Sequence, residues 1–66
     1  MMKAKYFEDT DTLYLELRGT AVVDTRDLDE DTLLDYDASG QVVGITLEHA
    51  SSRVGGERIE LETIPA

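Results

Sequence analysis

The run Asp35-x-Asp37-x-Ser39-Gly40 has the spacing with which the first half of an EF-hand loop presents side-chain oxygens to calcium before a turn glycine. The second half does not follow. Counted from Asp35, the twelfth position is Thr46, where a bidentate Glu is required, and the flanks alternate apolar and polar like strands. The same residues satisfy a β-hairpin, which is the reading adopted here. Asp27-x-Asp29-x-Asp31 also has calcium-like spacing, but Thr32 occupies the turn-glycine position and Ala38 the terminal-Glu position. A solvated acidic loop accounts for it.

His49 is the only histidine, with Glu48 beside it and Ser51 and Ser52 just beyond, so a base, an orienting carboxylate and a nucleophile can be sketched on paper. On a strand Glu48 and His49 point to opposite faces, and no Gly-x-Ser-x-Gly elbow presents either serine. An ordinary strand-end histidine is the simpler account. Paired carboxylates are numerous, yet no pair is singled out, and a sheet of this size can hardly enclose a substrate cleft and still keep a core. We therefore expect no enzyme, no cofactor and no resident metal. The competing reading is a minor enzyme or divalent-ion-binding protein whose site forms at a dimer interface from Asp35, Asp37 and His49.

Six basic residues against 15 acidic ones give a formal charge of -9, with a pI near 4.2. Such a surface repels phosphate backbones, so nucleic acid is excluded as a direct ligand and a basic protein is the favoured partner. The aromatic residues Tyr6, Phe7, Tyr14 and Tyr36 are not interleaved with a basic stripe of the kind single-strand binders use. Tyr14, Leu34, Tyr36 and Val42 instead suit an interaction surface. There is no cysteine and no apolar run of membrane-spanning length, so the expected setting is the cytoplasm, with no membrane partner.

Positioning these groups falls to short strands. Lys3 to Phe7 reads as a strand and Glu8 to Asp11 as a turn. In Leu13 to Arg18 the leucines alternate with Tyr14, Glu16 and Arg18, the clearest strand in the chain. After Gly19, Ala21 to Val23 begins a third strand that turns polar through Asp27 and belongs at an edge. Asp27 to Asp31 reads as a loop into Thr32 to Tyr36. Asp37-Ala38-Ser39-Gly40-Gln41 then suits a type I turn with Gly40 in the left-handed region, the common three-residue hairpin loop.

That turn sets a register of Tyr36 with Val42, Asp35 with Val43, Leu34 with Gly44 and Leu33 with Ile45. Leu33, Val43, Ile45 and Leu47 then line one side, and Leu34, Tyr36 and Val42 the other. With apolar residues on both faces, each needs a cover, and a second subunit is one candidate, so a homodimer is expected. Ala50 to Val54 suits one helical turn, and Arg58 to Glu62 alternates like a sixth strand.

Taken together, Asp11-Thr12-Leu13-Tyr14-Leu15, Leu34-Asp35-Tyr36-Asp37 with Gly40, and Val42-Val43-Gly44-Ile45 with Ala50-Ser51 mark a resemblance. The chain resembles the small bacterial proteins grouped as domain of unknown function 2283, whose members run Asp-x-Leu-Tyr early and Asp-Tyr-Asp-x-x-Gly-x-Val-Val-Gly-Ile later. The likeness covers nearly the whole chain to Arg53. It implies strands and a hairpin and brings no established activity or catalytic residue. The expected architecture is one small domain over residues 1–66, mainly β or small α+β. It is an antiparallel meander sheet of about five to six strands with at most one short helical turn near residues 50–54.

Overall fold

The computed structural model describes residues 2–54 and 64. Five strands, β1 (Lys3–Phe7), β2 (Thr12–Glu16), β3 (Asp24–Asp29), β4 (Thr32–Tyr36) and β5 (Val42–Leu47), precede one short helix, α1 (Ala50–Val54). They form one sheet in the order β1-β2-β5-β4-β3, with every neighbouring pair antiparallel. A β1–β2 hairpin thus docks on a β3–β4–β5 meander, and the seam between them is β2–β5. The mainly β reading, with a helical turn at residue 50, holds. The sixth strand expected over Arg58 to Glu62 lies outside the described residues.

Alternation in β2 puts Leu13 and Leu15 on one face, and their partners across the seam are Leu47 and Ile45. Leu34 joins them, because it pairs with Ile45 from the other side. Among the described residues the buried hydrophobics are Leu13, Val43 and Ala50, which lie under the seam and at the start of α1. On the opposite face lie Lys5, Tyr14, Thr46 and Leu33 in one cross-strand row, and Lys3, Glu16, Gly44, Asp35 and Thr25 in the next. That face is mostly polar. Among the described residues no helix is long and apolar enough to cross a membrane.

The turn forms as its sequence dictates. The Gly40 N–H donates to the Asp37 carbonyl at 3.0 Å, the Asp37 N–H donates to Gln41 at 3.0 Å, and Gly40 has a φ of 82°. Tyr36 pairs with Val42 as the turn requires. Beyond that pair the expected register is corrected: Asp35 pairs with Gly44, Leu34 with Ile45 and Leu33 with Thr46, with an irregularity between Asp35 and Tyr36. Val43 is an extra residue in β5, a β-bulge. Two contacts explain it. The Val43 carbonyl accepts the Leu17 N–H at 2.8 Å and the Arg18 N–H at 3.3 Å, which draws β5 toward the chain leaving β2. The slip also moves Asp35 off the apolar side and exchanges it for Leu34, avoiding the cost of a carboxylate among leucines. Leu34, Tyr36 and Val42 share a side as expected, but Ile45 and Leu47 join them there instead of lying with Leu33.

The third strand is also displaced. It begins at Asp24, whereas Ala21, Val22 and Val23 belong to a connection that leaves β2, passes the β4–β5 hairpin and reaches the far side of β4. Val23 already donates to the Tyr36 carbonyl at 2.9 Å, one step ahead of the strand. The polar run continues as strand to Asp29, with an irregularity between Asp27 and Asp29, so the expected loop narrows to Glu30 and Asp31. All six β3 residues are exposed, and β3 is an edge, as its polarity suggests.

Candidate functional site

The residues that could carry chemistry are distributed over four small hydrogen-bonded clusters. In the turn after β1, Asp11 adopts a left-handed backbone with φ 53°. Its Oδ1 accepts the Tyr6 hydroxyl at 2.5 Å and the Ser51 N–H at 3.0 Å, and its Oδ2 accepts the Ser51 hydroxyl at 2.8 Å. The Asp11 carbonyl takes the Ala50 N–H at 2.9 Å. One residue therefore clamps the first hairpin to the start of α1. The Tyr6 hydroxyl, then that of Ser51, holds the Asp11 carboxyl below its ordinary range.

On the polar face, the Tyr14 hydroxyl donates to Asp35 Oδ2 at 3.0 Å and Thr25 donates to Oδ1 at 2.7 Å. The phenol lies across Gly44. A Cβ there would overlap the Tyr14 hydroxyl oxygen and stand 2.8 Å from its Cζ, so the bond to Asp35 depends on position 44 lacking a side chain. Burial, and then the bond to the Asp35 carboxylate, raises the Tyr14 phenol above its usual value. In the hairpin loop, Asp37 Oδ1 accepts the Ser39 N–H at 3.0 Å, the Ser39 hydroxyl at 2.7 Å and the Gln41 N–H at 3.0 Å. Thr20 reaches Oδ2 at 3.3 Å. The Ser39 hydroxyl, followed by the Gln41 N–H, lowers the Asp37 carboxyl. Asp29 likewise closes its own turn by accepting the Asp31 N–H at 2.9 Å, the main reason its carboxyl is lowered.

His49 stands at the other end of β5 from Asp37, exposed, with φ 55° and its Nδ1 3.1 Å from Asp31 Oδ1. Arg53 donates to the Asp31 carbonyl at 2.6 Å and to Thr32 Oγ1 at 2.7 Å, tying α1 to β4. Within one chain, Asp35, Asp37 and His49 do not meet. Ser51 faces Asp11, and the Ser52 hydroxyl donates to the His49 backbone carbonyl at 3.0 Å, so neither serine is bonded to the imidazole. Of the two calcium-like runs, Asp29, Asp35 and Asp37 direct oxygens to N–H and O–H donors, and Asp31 Oδ1 stands against the His49 ring. Among the described residues no three His, Asp or Glu side chains are grouped to hold a metal ion.

The four interaction residues divide between the faces. Leu34, Tyr36 and Val42 share the apolar side, each half-buried, with the Arg26 guanidinium 5.3 Å from the Tyr36 ring centre. Tyr14 is on the polar side. Two features escaped the sequence reading: the clamp of Asp11 on Ser51, and the contact of Tyr14 with Asp35 over Gly44. A glycine between β-branched residues of β5 was a legible sign of the second, since such a glycine often marks a close approach. Nothing local announces the first, because its partners lie 40 residues apart.

A family model described as "Protein of unknown function (DUF2283)" matches residues 3–51, a span that runs from β1 to the serine bound by Asp11. No curated protein and no solved structure matches the chain.

Proposed function

This chain belongs to the family of proteins of unknown function 2283, and from that premise we propose that it is a non-catalytic protein-interaction module that self-associates and offers an acidic surface to a basic protein. One observation carries this reading. Leu15, Leu34, Tyr36 and Ile45 share one face of a single sheet and are only half-buried, with just Leu13, Val43 and Ala50 as buried hydrophobics among the described residues. An apolar layer left half wet gains by burial against a second copy, in the simplest case as a homodimer.

The polar groups support the same reading. Asp11, Asp35 and Asp37 spend their oxygens on bonds that hold turns and neighbouring strands, which leaves them structural work. The carboxylates that remain outward, with a net charge of -9, favour a basic protein over nucleic acid. Absence of cysteine accords with a cytoplasmic setting.

Size-exclusion chromatography with light scattering over a wide concentration range tests the first half. The mass should rise above the 7.3 kDa of one chain, and Leu34→Lys should lower it toward that value. For the second half, the immobilised protein should retain a basic protein such as a histone fragment at low salt and release it as ionic strength rises. A constant monomer mass together with no salt-sensitive retention removes the proposal.

A further inference from the structure

Every residue from Ala21 to Glu30 is exposed, and β3 lies within that run. Among the described residues β3 pairs with β4 alone, so its other side presents a row of backbone N–H and C=O groups to water. The two faces of the strand differ. Register places Thr25 and Asp27 on the polar face with Asp35 and Leu33, and Asp24 and Arg26 on the side of Tyr36 and Leu34. Arg26 bonds Asp24 at 2.9 Å and stands against the Tyr36 ring, which leaves that side close to neutral. Among the described residues no cation answers Asp27, and Thr25 beside it holds a second carboxylate, that of Asp35. Val23, just before the strand, and Leu28, at its irregularity, are 62% and 65% exposed.

Resting on the reading above that the partner is a basic protein, we propose that this partner docks by adding an extended strand to the β3 edge. Its cationic side chains lie on the side of Asp27 and Asp35, its apolar ones on the side where Asp24 and Arg26 neutralise each other, and it covers Val23 and Leu28. Charge selects this occupant. The β3 strand of a second copy would set aspartate near aspartate, which cross-strand pairing penalises, whereas a cationic strand meets opposite charge. The irregularity between Asp27 and Asp29 confines regular addition to Asp24, Thr25, Arg26 and Asp27. Main-chain hydrogen bonds then supply affinity, and the alternation of side chains supplies selectivity.

A diffuse acidic surface would hold the same partner whatever its backbone could do, and that difference is the test. Titration calorimetry at low salt compares a capped peptide of alternating Lys and Val with the same peptide methylated on every backbone nitrogen, which keeps the charge and removes the donors. The first should bind, more weakly as salt rises, and the second at least about tenfold less tightly, the loss of one or two backbone hydrogen bonds. Amide hydrogen exchange should slow within Asp24 to Asp27 when the first peptide is present. Asp27→Lys/Glu30→Lys should weaken binding about tenfold or more, while Glu8→Lys/Asp9→Lys, the same change in net charge in the exposed turn after β1, should alter it less than about threefold. Far-ultraviolet spectra check that both variants keep the sheet. Equal binding of the two peptides, no binding of the first, equal loss in the two variants, or no slowing within Asp24 to Asp27 overturns the edge addition. If a basic protein is nevertheless retained and released by salt, the broader reading stands, and if none is retained, both fail.

Discussion

Gly44 is the residue on which the polar face turns. Gly44→Ala should lower stability by about 2–4 kcal/mol in urea unfolding, because the new methyl meets the Tyr14 hydroxyl and ring. In a Tyr14→Ala background the same substitution should cost under about 1 kcal/mol, and additive penalties would show that the two sites are not in contact. The carboxylates make a second claim. Asp11, Asp29 and Asp37 all have folded values below the ordinary 3.8. They protonate more readily in the unfolded chain, so the stability they lend is present above that value and drains away as pH falls through their folded values. The urea midpoint should be flat near neutrality and drop in acid, and Asp11→Asn should make the drop shallower. Tyr14 works in the opposite direction. Its raised value makes its contribution complete below the usual phenol range and lost as pH rises through the folded one, so an alkaline fall should also appear and vanish in Tyr14→Phe.

The β4–β5 hairpin owes its register to one loop. Gly40→Ala should cost about 1–2 kcal/mol at a φ of 82°, and Gly40→Asn less, by thermal unfolding. This element was legible in the chain: Asp37 and Gly40 stand where a three-residue loop needs them, and Tyr36 meets Val42 as that loop requires. The bulge at Val43 was not legible, for a physical reason. It depends on the amides of Leu17 and Arg18 arriving from another strand, and on Leu34 displacing Asp35 from the apolar side. The bounds of β3 were hidden too: an edge strand turning polar to Asp27 was expected, whereas its start at Asp24 and its continuation to Asp29 follow from the ladder of β4. The clusters follow the same rule. Asp37 could be placed from its own loop, whereas Asp11 with Ser51 and Tyr14 with Asp35 are meetings between segments that only the folded sheet brings together.

At the scale of the whole molecule, one sheet with so few fully buried side chains among the described residues should be sensitive to how much protein is present. The thermal midpoint should climb as concentration is raised, since association stabilises the folded form by mass action, and a midpoint independent of concentration would count against self-association. The arrangement of strands bears on time as well. β1–β2, β3–β4 and β4–β5 each join segments adjacent along the chain, while β2–β5 brings Leu13 to Leu47. Hairpins close in microseconds, but zipping the remote pair must wait for a much larger loop to be drawn shut. That single closure should set the pace of the refolding reaction. Leu15→Ala, at the middle of the zip, should therefore slow the stopped-flow refolding phase far more than a change such as Lys5→Ala on the outermost strand.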